Sequence, residues 1–162
     1  MTTIAIVGAG RGLGAASARR FGRQGFDVAL LSRSQERVDA LAADLAGALE
    51  SSVHGPVAAV DQLLPGLRAL GRGTVLFVNG GSAARPDPQV AGTSIAFAGE
   101  SAYAQMLHEV LAVEDVHVGQ LIIPGAITPG HPRNDPSVLA DTLWAMHTER
   151  GAFRRFADDL DA

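Results

Sequence analysis

The sequence of 162 residues contains no cysteine and no lysine, and only one tyrosine and one tryptophan. The lack of cysteine excludes disulfides and thiolate catalysis, and it fits a reducing compartment, so we expect a cytoplasmic protein. All 13 basic residues are arginines. The chain therefore offers no side-chain amine to any reaction.

Long apolar runs and an excess of positive charge are also missing. No apolar stretch approaches the roughly 18 residues that a membrane span needs, and no basic region precedes the short N-terminal apolar run, so neither a span nor a secretory signal is expected. A net charge of −4 gives no reason to expect nucleic acid or an anionic membrane as a partner. The histidines lack metal-ligand spacing, so no metal site is predicted.

The composition is that of an ordinary globular protein. Hydrophobic residues make up 47% and charged residues 19% of the chain, which is typical of a folded domain. The length, with no internal repeat or linker, predicts a single domain over residues 1–162 with one sizeable core.

Hydrophobic periodicity predicts strands that alternate with helices. Strands are expected over 3–7, 26–31, 74–79 and 116–123, with a short edge strand at 153–156. Helices are expected over roughly 11–23, 34–49, 57–70, 94–112 and 136–151. This alternation predicts a Rossmann-like, doubly wound α/β fold, with a mostly parallel sheet of about five strands and helices on both faces.

The polar stretch 50–55 makes one connection ambiguous, because two helices are predicted in succession between the second and third strands. A tight helical hairpin there would make the third strand antiparallel. Alternatively, the six residues run back along the sheet in extended form, since they can reach about 20 Å, and the third strand stays parallel.

A glycine-rich turn, Gly8-Ala9-Gly10-Arg11-Gly12-Leu13-Gly14, lies between the first strand and the first helix. Glycines permit positive φ and let backbone N–H groups approach a diphosphate, which the helix N-terminus also attracts. The spacing Gly8-x-x-x-Gly12-x-Gly14 resembles that of the short-chain dehydrogenase/reductase family. The resemblance implies a nicotinamide dinucleotide cofactor, bound by Gly8, Gly10, Arg11, Gly12, Leu13 and Gly14.

The end of the second strand bears on which dinucleotide is bound. NAD enzymes place a carboxylate there to accept from the ribose 2′-OH, whereas this chain has Ser32 followed by Arg33. Arg11 stands at another position where NADP-preferring family members carry a base. Because guanidinium groups pair with a 2′-phosphate, we expect NADP to be preferred over NAD, with Ser32 and Arg33 in the cofactor site.

Two later segments extend the resemblance. The run from Gly73 to Ser82 is similar to the strand that delivers the family's active-site serine, so Ser82 is the candidate catalytic residue. Pro124, Gly125 and Ile127 lie in a segment that resembles the Pro-Gly loop bordering the nicotinamide. The resemblance implies hydride transfer between the nicotinamide and a small carbonyl or alcohol substrate.

The chain departs from the family in its acid–base residues. Family members use a tyrosine with a lysine four residues later, and alignment on the Pro-Gly loop puts that pair near Ala96 and Glu100. The only tyrosine, Tyr103, has Leu107 four residues on and is expected in a core or interface, while Glu100 is expected to be exposed. Ketone reduction by the usual proton transfer is therefore excluded.

The chain is also shorter than the family pattern. Between the second helix and residue 55 the family carries a further strand, helix and strand, which this sequence lacks. Without them, the strand order 2-1-3-4-5 is possible for the sheet.

Two functions remain open at this point. One is an NADP-preferring oxidoreductase with altered acid–base chemistry, and the other is a non-catalytic module that binds a dinucleotide or assembles with partners. Family members usually associate through two helices, which correspond here to about 55–70 and 94–112. A homo-oligomer, at least a dimer, is therefore predicted.

Overall fold

The computed structural model describes residues 3–7, 11–31 and 45–160, with side chains from 12–27 and 47–160. The strands are β1 Thr3–Val7, β2 Asp27–Leu31, β3 Gly73–Gly80, β4 Val116–Ile123 and β5 Arg154–Phe156. The helices are α1 Arg11–Gly22, α2 Leu45–Leu49, α3 Gly55–Leu70, α4 Ala91–Leu111 and α5 Pro136–Glu149.

The strands form one five-stranded sheet in the order β2-β1-β3-β4-β5, and every neighbouring pair is parallel. The predicted doubly wound α/β class and the strand order 2-1-3-4-5 are confirmed. β4 is buried along its whole length, and β3 is buried except at its two ends. Continuous apolar strands of this kind are expected when helices cover both faces of a parallel sheet.

Two apolar clusters lie on opposite faces of the sheet. On one face, α1 and α5 pack on Leu76, Val78, Leu121 and Ile123. On the other, α3 and α4 pack on Val75, Phe77, Val116 and Val118. Successive strand residues therefore serve alternate layers.

The connection that the sequence left ambiguous is helical throughout. Glu50–His54 is a π-helical segment that joins α2 to α3, and its flanking residues Leu49 and Gly55 also have right-handed helical angles. Both predicted alternatives, a tight hairpin and an extended return, are wrong for these residues. Residues 45–70 run as one continuous helix that leads into β3, and β3 is parallel to β1.

Candidate functional site

The carboxyl ends of β1 and β3 define the place where a ligand is expected. These strands are neighbours in the sheet, and the helices that follow them, α1 and α4, pack on opposite faces. Connections that diverge in this way open a crevice at the strand ends, which is where doubly wound sheets bind ligands. The first turn of α1, with its unpaired amides, begins four residues after β1 ends.

Only part of the glycine-rich turn lies within the described residues. Gly8 and Gly10 lie outside them, as does the side chain of Arg11, whose backbone begins α1. Gly12 is exposed, and a Cβ built on it would lie 3.6 Å from Pro136 Cγ at the start of α5. Leu13 is 1% exposed and belongs to the core, so only its backbone is available to a cofactor. Gly14 is also buried.

Ser32 and Arg33, the predicted determinants of NADP preference, lie outside the described residues. They follow β2 directly, because that strand ends at Leu31. β2 pairs with β1 in parallel, with Val7 opposite Leu31. The chain thus leaves β2 at the same edge of the sheet at which it leaves β1.

A cleft of about 460 Å³ opens at the carboxyl ends of β3 and β4. The residues that line it are Gly81, Ser82, Arg85, Pro86, Asp87, Pro88, Val90, Gly125 and Leu160. Ser82 and Gly125, which the sequence predicted separately, therefore share one cleft. Pro124 is buried behind them, and Ile127 is exposed but does not line the cleft.

The backbone segments that carry Ser82 and Gly125 approach closely. A Cβ on Gly81 would lie 3.5 Å from Pro124 Cα, and Gly125 has a φ of 71°, which favours glycine. The Asn134 side chain, 4% exposed, fixes this turn by donating from Nδ2 to the Pro124 carbonyl at 2.7 Å. Its Oδ1 is buried with no hydrogen-bond partner.

The loop after Gly125 is fixed further by Asp135, the N-cap of α5. Asp135 accepts hydrogen bonds from the Ser137 hydroxyl and amide and from the Gly130 amide. These bonds, led by that of the Ser137 side chain, lower the pKa of Asp135 to about 2. The cap therefore stays ionised at physiological pH and holds the loop against α5.

The segment that follows β5 forms one wall of the cleft. Arg85 donates to the Leu160 carbonyl, and the Leu160 side chain lies 3.7 Å from where a Gly81 Cβ would be. Asp158 is paired with Arg133 at 2.8 Å. An arginine and an aspartate, Arg85 and Asp87, thus line a cleft whose other walls include prolines, Val90 and Leu160.

Ala96 and Glu100, the positions at which the sequence comparison expects the family's acid–base pair, both lie inside the fold. Ala96 is fully buried in α4. Tyr103 is half-buried, with its ring edge-on to Phe77 at 6.2 Å, and it does not line the cleft. Burial, the main cause, raises the Tyr103 pKa. The expectation of a core or interface position for Tyr103 agrees with this packing, and Ser82 is the hydroxyl-bearing residue among those that line the cleft.

The expectation that Glu100 is exposed is wrong. Glu100 is 3% exposed and accepts a 2.6 Å hydrogen bond from Asn79 Nδ2. Gln120 Nε2 donates to Asn79 Oδ1 at 2.8 Å, and Gln120 Oε1 accepts from Ser101 and Arg154. Burial raises the Glu100 pKa to about 7, although the bond from Asn79 acts in the opposite direction.

Sequence reasoning missed this buried polar cluster and the cleft residues Arg85, Asp87 and Leu160. One signal was present: Asn79 and Gln120 interrupt otherwise apolar strands. The register pairs Phe77 with Gln120, so Asn79, two residues further along β3, lies on the same face of the sheet. No comparable signal marked Leu160, because its contact with Gly81 depends on how the chain returns after β5.

The described residues show no metal site and no membrane span. Among them, no group of three or more histidine, aspartate or glutamate side chains is placed to hold a metal ion. Within the same residues, no helix has both the length and the apolar character needed to cross a membrane.

Two comparisons with known proteins find similarities. The sequence comparison matches the N-terminal third of the chain, and the structure comparison matches nearly its full length. Residues 2–55 match the family profile described as short chain dehydrogenase. A search of curated protein sequences finds no match.

Three solved structures illustrate the likeness in fold. A short-chain dehydrogenase from Rhodopseudomonas palustris has a TM-score of 0.75 at 17% identity, covering 98% of each chain. A short-chain dehydrogenase from Sphingobium yanoikuyae, in complex with NADPH, has a TM-score of 0.71 at 17% identity, covering 96% of this chain and 87% of that one. An oxidoreductase from Brucella ovis, in complex with a partially ordered NAD, has a TM-score of 0.70 at 15% identity, covering 97% and 99%.

Proposed function

We propose that this chain is a member of the short-chain dehydrogenase/reductase family, which the profile match over residues 2–55 supports, and that it binds a nicotinamide dinucleotide at the carboxyl edge of its sheet. The observation that carries the proposal is the cleft shared by Ser82 and Gly125. It opens at the carboxyl end of β3, one of the two neighbouring strands whose following helices diverge, and such folds bind ligands at this edge of the sheet. Related folds are solved with NADPH and with NAD.

The residues present fit such a cofactor. The first turn of α1, with the exposed Gly12, presents backbone amides for a diphosphate. The turn at Gly125, which the Asn134 side chain holds through the Pro124 carbonyl, borders the space for the nicotinamide end. When bound, the nicotinamide supplies or accepts a hydride, and Ser82 is positioned to hold the oxygen of a small carbonyl or alcohol substrate in the cleft.

NADP is the proposed preference, because the sequence has Arg11 in the glycine-rich turn, and Ser32 and Arg33 in place of a carboxylate directly after β2. Fluorescence titration with NADPH and NADH tests this. We expect tighter binding of NADPH, and in Arg33→Ala an NADPH affinity about tenfold lower, the loss expected for one charge-assisted contact. NADH affinity should stay unchanged.

Arg72→Ala is the matched control, since Arg72 precedes β3 at the opposite edge of the sheet and is exposed. It should bind both cofactors as the parent does. Equal affinity for the two cofactors would overturn the NADP preference, and no binding of either would overturn the cofactor proposal.

A non-catalytic dinucleotide-binding module is the second candidate. It is favoured by the absence of lysine from the sequence and by the position of Tyr103 outside the cleft lining. Turnover of small ketones with bound NADPH, abolished in Ser82→Ala without loss of NADPH affinity, would support the oxidoreductase. Binding without turnover across a panel of carbonyl compounds would support the module.

We also propose that the chain associates with a second copy through α3 and α4. One face of α4 carries the apolar residues Ile95, Met106 and Val110, each more than half exposed. Ala98 and Ala102 lie exposed on the same helix and allow close approach.

A further inference from the structure

The buried polar cluster forms a chain of hydrogen bonds with one direction. Arg154 Nε donates to Gln120 Oε1 at 2.9 Å, Gln120 donates to Asn79, and Asn79 donates to Glu100 Oε2. A guanidinium can only donate, and an ionised carboxylate can only accept. The two ends of the chain therefore fix the orientation of both amides, since flipping either one would break the bonds on both of its sides.

Asn79 connects this chain to the cleft. It is the penultimate residue of β3, and Gly80 and Gly81 follow it before Ser82. Because the two glycines have no side chains, the Asn79 side chain is the last anchor on the strand before the serine. A displacement of Asn79 would reach Ser82 through the backbone of these two glycines, of which Gly80 is paired with Ile123 of β4.

We propose that Glu100 is a positioning residue that, through Asn79, holds the carboxyl end of β3 and Ser82 in the geometry the site requires. The effect on cofactor binding rests on the proposed function of the cleft. The coupling from Glu100 to Ser82 is a property of the fold and does not depend on that function.

The charge of Glu100 makes the coupling sensitive to pH. With its pKa raised to about 7 by burial, both protonation states are populated near neutrality. The ionised form accepts a charge-assisted bond from Asn79, whereas the protonated form carries a donor of its own and holds the amide less firmly.

In the described part of the chain, few charged groups lie near Glu100 on the elements that pack against α4. Arg154 of β5 reaches Glu100 through Gln120, and it also donates to Ser101 beside Glu100 at 2.7 Å. In the π-helical segment, Glu50 and His54 are exposed and pair with each other. From α3, Asp61 acts on Tyr103, which lies one turn further along α4. Arg154 is therefore the charge linked to Glu100 among the described residues.

The test follows the backbone amide signals of Gly80, Gly81 and Ser82 in the ¹⁵N-labelled full chain. We expect these amides to titrate together with a midpoint near 7, and the titration to be lost in Glu100→Gln. Glu109→Gln, the same change at an exposed position of the same helix, should keep it. Amides that stay still in the parent, or that titrate unchanged in Glu100→Gln, would overturn the proposal.

Arg154→Gln provides a second variant, which carries the test if Glu100→Gln does not fold. Removing the cation from the far end of the chain should move the midpoint to higher pH, because the ionised form of Glu100 loses support. An unchanged midpoint would show that the chain of bonds does not transmit charge and would contradict the proposal.

NADPH affinity links the coupling to function. Above the midpoint, Glu100→Gln should bind NADPH about tenfold more weakly than the parent, the effect of losing one charge-assisted interaction, while Glu109→Gln should bind normally. If the parent itself binds no NADPH, the proposed function fails, and the amide titration still decides whether Glu100 positions Ser82. Equal NADPH affinity in Glu100→Gln and the parent would contradict the effect on the site.

Discussion

At the scale of single residues, His117 shows the cost of a titratable group placed inside the sheet layer. It lies in β4, is 7% exposed, and its Nε2 has no hydrogen-bond partner. Burial lowers its pKa to about 4, and the charges of Arg150, His108 and His147 act in the same direction. His117 is therefore neutral in the folded protein at every pH at which the fold is expected to be used.

This depressed pKa predicts a loss of stability in acid. The unfolded chain takes up a proton near pH 6.5 and the folded chain only near pH 4, so stability is fully present above 6.5 and falls as the pH drops toward 4. Replacing His117 with Gln should reduce that fall by on the order of 2 kcal/mol. Urea unfolding at several pH values, followed by the fluorescence of Trp144, measures it.

The control is His54→Gln, because His54 is exposed on the helical connection. Its pH dependence should match that of the parent. If the free energy of unfolding of His117→Gln falls as much as that of the parent between pH 6.5 and 4, groups other than His117 cause the loss of stability in acid.

At the scale of elements, α3 remains helical although it contains a proline and a glycine, the two residues least favourable inside a helix. Pro65 and Gly66 lie inside the helix, which ends at Gly71 with a left-handed φ of 63°. Gly66 is exposed, and a Cβ added to it would meet nothing within 4 Å. Gly66 therefore weakens the interior of the helix, whereas Gly71 stabilises its end.

Exchanging each glycine for alanine should change stability in opposite directions. Gly66→Ala should raise the free energy of unfolding by about 1 kcal/mol, since alanine restricts the unfolded chain and favours the helix. Gly71→Ala should lower it by about 1 kcal/mol, because its Cβ is strained at positive φ. Urea midpoints of the two variants measure the difference, and changes of the same sign would refute the assignment of Gly71 as the helix cap.

Local patterns predicted the strands well and the helix faces poorly. A parallel strand buried on both sides is apolar along its length, so β3 and β4 were evident from sequence. In α4 the apolar residues Met106 and Val110 are exposed, and apart from Leu111 the buried residues of the helix are small or polar. Helical spacing alone therefore could not reveal that Glu100 is buried.

The π-helical connection and the cleft depend on distant contacts. The polar sequence of residues 50–55 does not distinguish a helical turn from a loop. In the fold, this segment packs on α4, where Val53 Cγ2 lies 3.5 Å from where a Cβ on Gly99 would be. The sequence did predict Ser82 and Gly125, since their segments resemble a known pattern. It could not place Leu160 against Gly81, which requires the whole sheet to be assembled.

At the scale of the whole molecule, the exposed apolar face of α4 is the feature that a single chain leaves unexplained. Ile95, Met106 and Val110 are 54%, 58% and 61% exposed, and Val113 follows at 91%. Large exposed apolar patches are typical of interaction surfaces. This apolar patch lies on α4, which also carries Glu100. The proposed dimer interface and the residue proposed to position Ser82 are therefore on the same helix.

Placing a charge on this face should separate the copies. Val110→Glu is expected to shift a dimer to monomer at micromolar concentration, because a carboxylate would be buried without a partner. Sedimentation velocity measures the change. Val138→Glu, on exposed α5 at the other face of the sheet, should leave the association intact, and a parent that sediments only as a monomer would contradict the predicted dimer.

The short strand at the sheet's edge has a consequence for handling the protein. β5 has three residues, and it covers β4 by pairing with Gln120, Leu121 and Ile122. Arg154 is bonded inward and Arg155 is paired with Glu149 of α5, so both side chains tie β5 to the rest of the fold. If β5 detached, β4 would present a long, flat edge of the kind that seeds aggregates. We therefore expect the three residues of β5, Arg154–Phe156, to protect this protein against precipitation in concentrated solution.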